Sequence, residues 1–134
     1  MNRIIKFRAW DDANKIMEYN PFVAMKKTDE QKEVYFNCVF GRTDLNYVFL
    51  QFTGLTDKNG VEIYEGDIVS YDEPSYGLVK TKYHRVGTVE YREDLARFDI
   101  KLKNLFDGGS AIEMKEIYPI EVIGNVFENE NLLK

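Results

Sequence analysis

Few side chains in this 134-residue sequence are of the types that carry acid–base, nucleophilic or metal chemistry. His84 is the only histidine and Cys38 is the only cysteine. Structural zinc is held by sets of Cys and His ligands, and a Ser-His-Asp triad needs a carboxylate that orients its histidine. Because His84 lies in the basic run 80–85, which contains no carboxylate, we expect no metal centre, no cofactor and no enzymatic activity.

Cys38 lies in an apolar stretch, residues 34–40, that reads as a β-strand. A reactive cysteine needs a cationic or histidine-bearing setting, whereas a free cysteine among apolar neighbours is usually a small buried hydrophobe. We interpret Cys38 as a core residue. Since a lone cysteine cannot form a disulfide within the chain, we also expect a reducing, cytoplasmic location.

The tetrapeptide Asp57-Lys58-Asn59-Gly60 is the strongest turn signal in the sequence, and it also invites a calcium-loop interpretation. A calcium-binding EF-hand loop that starts at Asp57 needs glycine at position 62 and glutamate at position 68. The sequence has Glu62 and Ile68 there, so we interpret the tetrapeptide as a turn. Glycine-rich loops that cradle phosphates are also absent from the sequence.

One segment has a basic excess within an acidic chain. The net charge is −5, yet residues 78–103 contain seven basic and four acidic side chains, a net charge of +3. Cations interleaved with aromatic rings on a barrel surface can bind nucleic acid by phosphate contact and stacking. Alternating lysines on an exposed strand also serve solubility and edge protection, and we favour that interpretation. The candidate nucleic-acid-binding residues are Lys80, Lys82, Tyr83, His84, Arg85 and Arg92.

The elements that must position these residues are strands. Val, Ile, Thr, Phe, Tyr and Trp together number 46, whereas Ala, Leu and Met number 18. Side chains that are branched or bulky at Cβ fit a pleated sheet and lose rotamers in a helix. The composition therefore predicts a mainly β protein.

Short apolar stretches separated by turn residues recur along the whole chain. A first hairpin is predicted from strands 3–10 and 16–19, with turn residues between them, and the polar segment 25–33 reads as a loop. Asn129 is a candidate cap for a final helical turn. The other predicted strands are 34–40, 47–53, 67–71, 78–83, 86–91, 97–102 and 121–127.

The spacing of these strands predicts the domain organisation. From about residue 46 onward the strands recur at intervals of roughly 8–12 residues, which is typical of a small barrel or sandwich. We predict an SH3-like small barrel over 46–134, preceded by a β-rich extension over 1–45. The two parts can also form one compact unit.

Three stretches together, Ile5–Asp11, Gln51–Val69 and Glu121–Asn129, resemble the YopX-like family of phages and prophages of Gram-positive bacteria. The resemblance runs from Ile5 to about Leu133 and implies an SH3-type barrel in the C-terminal part. It brings no catalytic residues to this chain. The matched residues that we interpret as structural are Trp10, Gly54, Asp57, Gly60, Gly66, Asp67 and Gly124.

The chain contains no apolar run of the ~18 residues that cross a bilayer, so we expect no membrane association. The main functional hypothesis is a non-enzymatic module that binds a host or phage protein through loops 20–33 and 72–78. The alternative is nucleic-acid binding through the basic segment. Self-association is also consistent with so many apolar strands in a small protein.

Overall fold

A computed structural model describes the chain except for one long internal segment and several short ones. The described residues are 4–19, 47–74, 77–78, 81–102, 111–114 and 119–134. Within them the regular elements are strands and one four-residue 3-10 helix, which confirms the prediction of a mainly β protein. The strand predicted around Cys38 and the loop 20–33 lie outside the described residues.

The chain divides into two compact units, Met1–Phe52 and Thr53–Lys134. The domain boundary predicted near residue 45 stays a prediction. The part of the chain that the structure describes contains no helix able to span a lipid bilayer.

The first unit contains the predicted N-terminal hairpin. Strand β1 (Phe7–Asp11) pairs antiparallel with β2 (Ile16–Glu18) and with the first part of β3 (Tyr47–Thr56). The turn between β1 and β2 forms because the Asp11 carboxylate accepts the backbone N–H groups of Ala13 at 3.0 Å and Asn14 at 3.1 Å. A short acidic side chain thus replaces the hydrogen bonds that the strand loses at its end.

In the second unit β4 (Glu62–Tyr64) neighbours β3, and the Thr53 hydroxyl donates to the Ile63 carbonyl at 2.8 Å. The remaining strands form a five-stranded antiparallel sheet in the order β8-β7-β6-β5-β9. These strands are β5 (Asp67–Pro74), β6 (Lys82–Arg92), β7 (Arg97–Leu102), β8 (Ala111–Glu113) and β9 (Glu121–Asn125). The assignment of this unit to the SH3-like barrels stays a prediction.

The core of the second unit lies on one face of this sheet. Val69 on β5, Val89 on β6 and Ile100 on β7 are almost completely buried. Polar residues flank Val89 and Ile100, as expected for strands with one face in the core. Burying a side chain of this size contributes about 1.5–3 kcal/mol, so the cluster is the main source of stability here. Its buried members are Ile63, Val69, Tyr71, Val89, Ile100, Leu102, Met114 and Ile120.

Two of the sequence expectations that differ from the structure concern β6 and the C-terminal helical turn. The strands predicted at 78–83 and 86–91 are not separate where the structure describes them: residues 82 and 83 belong to the same strand as 86–91, β6, which runs without a break from Lys82 to Arg92. Asn129 precedes the 3-10 helix Glu130–Leu133 but makes no side-chain cap. Its side-chain oxygen instead accepts the backbone N–H of Asn125 at 3.2 Å, which ties the helix start to the end of β9.

Candidate functional site

The pairing of β5 with β6 extends further than the pairing of either strand with its other neighbour. β9 pairs with β5 over Asp67–Ser70, and β7 pairs with β6 over Gly87–Arg92. Beyond those limits, residues 71–74 of β5 and 82–85 of β6 pair with each other. Among the described residues they have no other strand partner, and we call this two-stranded segment the β5–β6 arm.

One face of the arm has a histidine–carboxylate pair. His84 lies directly opposite Asp72 in the register, and its Nδ1 is 3.0 Å from the Asp72 Oδ1. This hydrogen bond lowers the pKa of Asp72, and the nearby charge of Lys82 acts in the same direction. The expectation that His84 has no carboxylate partner was therefore wrong, because the partner comes from the neighbouring strand.

The other face of the arm has a cluster of three side chains. The Arg85 Nε donates to the Glu73 Oε2 at 2.9 Å, and the Arg85 guanidinium lies 5.5 Å from the centre of the Tyr83 ring. Tyr83 is 51% exposed, whereas Arg85 and Glu73 are half-buried. Glu73 and the ring together hold the guanidinium in place, and we call these three residues the Tyr83 cluster.

Arg92 and Arg97 of the basic segment also lie beside carboxylates. Arg92 donates two hydrogen bonds to Asp94, at 2.8 and 2.9 Å, and these bonds raise the pKa of its guanidinium. Arg97 donates to the buried Asp99 at 2.8 Å. The three arginines of the segment are thus all in ion pairs with carboxylates. Lys80 lies outside the described residues.

The 57–61 turn contains Asp57 and Gly60, two of the residues predicted to be structural, and the Asp57 carboxylate organises it. The buried Asp57 carboxylate accepts three backbone N–H groups: Asn59 at 2.8 Å, Val61 at 2.9 Å and Val122 of β9 at 3.0 Å. Burial alone raises the pKa of Asp57, but these hydrogen bonds outweigh it and the pKa is lowered. We call this arrangement the Asp57 clamp.

Comparison with known proteins shows the family of this chain. The family model described as YopX protein matches residues 6–134. This chain belongs to the YopX protein family. The chain is also similar to a solved structure, the crystal structure of protein EF1440 from Enterococcus faecalis, with a TM-score of 0.57 and 28% sequence identity. That match covers 99% of this chain and 100% of the other. No curated protein matches the chain.

The residues interpreted as structural from the sequence lie within strands, at turns and in buried positions. Gly54, Gly60 and Gly66 have φ angles of 89°, 82° and 80°, a region that side chains with a Cβ rarely adopt. The buried Asp67 carboxylate accepts the Tyr64 N–H at 2.8 Å and closes the bend around Gly66. Trp10 is buried and donates from Nε1 to Asp12 at 3.3 Å.

Gly124 allows a close approach between β9 and the segment that follows it. A Cβ at this position would lie 2.6 Å from the side-chain oxygen of Asn129. The sequence indicated a bulge or a close approach here, and the structure shows both, since the register between β5 and β9 also shifts between Ile68 and Val69.

Sequence reasoning missed the carboxylates of the arm. Asp72 and Glu73 fall in a segment interpreted as a loop, and their importance comes from the register that places them beside His84 and Arg85. No local signal identifies such partners. Among the described residues, no group of three or more Asp, Glu, His or Cys side chains is close enough to hold a metal ion.

Proposed function

We propose that this YopX-family chain is a small accessory protein, encoded by a phage or prophage, that binds another protein in the cytoplasm of its bacterial host and catalyses no reaction. The observation that carries the proposal is the Tyr83 cluster on the β5–β6 arm. It presents an aromatic ring and a paired guanidinium on strands that, in the part of the chain that the structure describes, extend beyond their neighbours.

The residue types of the Tyr83 cluster, and the restraint on its arginine, support binding to a protein partner. Tyrosine and arginine are enriched among the residues that dominate the energy of protein interfaces. Because the bond to Glu73 restrains the Arg85 side chain before binding, less conformational entropy is lost when a partner docks. Tyr83 then supplies contact area, and the Arg85–Glu73 pair supplies polar specificity around the ring.

The position of the single histidine supports a non-enzymatic role. Catalytic acids and bases usually lie in clefts where burial and neighbouring charges tune their protonation. The side chain of His84 is 66% exposed and that of Asp72 is 55% exposed, on two strands of the arm. The pair therefore lies in a solvated setting, in which it stabilises strand pairing modestly.

Affinity capture tests the proposal with a matched pair of variants. Tyr83 and Tyr91 both lie on β6 and are 51% and 43% exposed, but only Tyr83 is on the arm. The wild-type chain and a Tyr91→Ala variant are expected to retain the same host or phage protein from a cell extract. Tyr83→Ala is expected to lose it. A partner bound equally by all three proteins, or by none above the blank matrix, contradicts the proposal.

The second candidate function is nucleic-acid binding through the basic segment. It is supported by the exposed Tyr83 ring next to Arg85 and the exposed Lys82, a combination that suits base stacking and phosphate contact. The carboxylates of Asp72 and Glu73 oppose it, because a phosphate would have to displace them from His84 and Arg85.

Gel-shift assays at low salt, with single- and double-stranded probes, separate the two candidates. At about 10⁻⁵ M protein, a concentration within the range of ordinary non-specific binding, the protein-binding proposal predicts no shift. A shift that weakens with added salt and is lost in Lys82→Glu would favour the nucleic-acid candidate instead.

A further inference from the structure

The turn that carries the Asp57 clamp contains the only Asn-Gly step in the sequence, Asn59-Gly60. Both residues are exposed, although the Asp57 carboxylate beside them is buried. A Cβ built on Gly60 would meet no atom within 4 Å, so solvent reaches this peptide bond from the side of the missing side chain. The exposed tip of the turn is therefore open to reaction with water.

An Asn-Gly step has a spontaneous chemistry of its own. The backbone nitrogen of Gly60 attacks Cγ of the Asn59 side chain, the Cγ–Nδ2 bond breaks, and the side-chain nitrogen leaves as ammonia with the proton from the backbone nitrogen. The product is a cyclic succinimide. Water then opens the ring at either carbonyl, which yields an aspartate with a normal or a β-linked main chain. A following glycine suits this reaction, because no side chain crowds the attacking nitrogen.

We propose that Asn59 is a site of spontaneous deamidation and that its β-linked product opens the Asp57 clamp. In the folded turn the N–H of Gly60 donates to the Asp57 carbonyl at 3.0 Å. This hydrogen bond must open before the nitrogen can lose its proton and attack. The reaction rate of the folded chain therefore follows the local opening of the turn, which exposed segments undergo far more readily than the core.

The β-linked product is incompatible with the geometry of the clamp. It adds one methylene group to the main chain between positions 59 and 60, inside a turn closed at both ends. Asp57 donates its N–H to the Val61 carbonyl at 2.7 Å, and its carboxylate accepts the Val61 N–H at 2.9 Å. Lengthening the chain between these residues moves Val61, and the carboxylate can no longer serve both Val61 and Val122.

The experiment ages the folded, full-length chain in mildly alkaline buffer and follows it by peptide mass mapping, with fragmentation that separates normal from β-linked products. Asn14 is an internal control, because it also lies in an exposed turn but is followed by Lys15. Its side-chain nitrogen donates to Asp11 at 2.7 Å. We expect position 59 to exceed position 14 in conversion at every time point.

Hydrogen exchange at the Val122 amide provides the second readout. We expect its protection to be lost in the β-linked fraction and kept in unaged protein and in aged Asn59→Gln, which forms the ring far less readily. Asn59→Glu adds the charge alone and is expected to keep the protection. Equal conversion at positions 59 and 14 would overturn the proposal, and so would a β-linked fraction that keeps Val122 protected.

Discussion

The carboxylate of Asp57 accepts the backbone N–H of Val122 at 3.0 Å, although the two residues are 65 positions apart in the sequence. The next residue of the turn, Lys58, donates its own N–H to the Ile120 carbonyl at 2.9 Å. β9 is an edge strand, and the unpaired backbone groups of an edge are a template for association with other chains. The turn therefore occupies backbone groups along the outer side of β9 that would otherwise face solvent.

Replacing Asp57 by alanine is expected to lower the free energy of unfolding by about 1–3 kcal/mol, the usual cost of leaving a buried donor unsatisfied. Urea denaturation measures the change. Lys58→Ala is the control, since it keeps the three hydrogen bonds of the clamp and removes a half-exposed ion pair with Glu121, and such pairs contribute less than about 1 kcal/mol. Equal destabilisation by both variants would show that the clamp adds nothing beyond surface charge.

The lowered pKa of Asp57 predicts a specific dependence of stability on pH. The ordinary pKa of the group is 3.8, and it is lower in the folded state, so the ionised carboxylate stabilises the fold above that value. The contribution disappears as the pH falls through the folded-state pKa. The stability difference between the wild type and Asp57→Asn is therefore expected to be constant near neutral pH and to shrink in acid. A difference that grows in acid would contradict this account.

Gly87 is expected to tolerate no side chain. A Cβ at this position would lie 2.5 Å from the Ile100 Cγ2 and 2.7 Å from the Lys101 carbonyl oxygen on β7. Gly87→Ala is predicted to destabilise the protein by about 1–3 kcal/mol, the usual cost of overpacking. Gly77→Ala is the matched control, since nothing lies within 4 Å of the added Cβ. Thermal unfolding that ranks the two variants in the opposite order would contradict the packing of β6 against β7.

Glu73 is expected to matter for binding more than for folding. Removing it in Glu73→Ala frees the half-buried Arg85 guanidinium, and an exposed or half-exposed pair of this kind contributes less than about 1 kcal/mol to stability. We expect near wild-type unfolding in urea but weaker capture of the partner. A variant that keeps full capture would show that the order of Arg85 is unimportant.

Turns were the part of the fold most accessible from the sequence. The turn after Asp11 and the turn after Asp57 were both predicted, because the carboxylates that shape them act on backbone groups within four residues. The bond from Asp57 to Val122 could not be predicted, since it depends on how β9 returns to the edge of the sheet. The hydrogen bonds of a turn join residues that are close in the sequence, whereas long-range contacts depend on how the strands are arranged in the sheet.

The continuity of β6 was missed for a related reason. The adjacent polar residues His84 and Arg85 interrupt the apolar alternation that predicts a strand with one buried face. Both faces of the arm have solvent-accessible polar and charged side chains. The sequence of the arm therefore shows no alternation of apolar and polar residues. The register with β5 determines the strand there, and it also determines which carboxylate each cation meets.

Photo-crosslinking from the arm is the most direct test of whether the chain binds a protein partner through the Tyr83 cluster. A photoreactive phenylalanine analogue replaces Tyr83 in one protein and Tyr91 in another, and each is irradiated in an extract of the cells that encode the chain. We expect one discrete crosslinked protein from position 83, competed away by unlabelled wild-type chain, and none from position 91. No crosslink at either position, or the same crosslink at both, would contradict the claim.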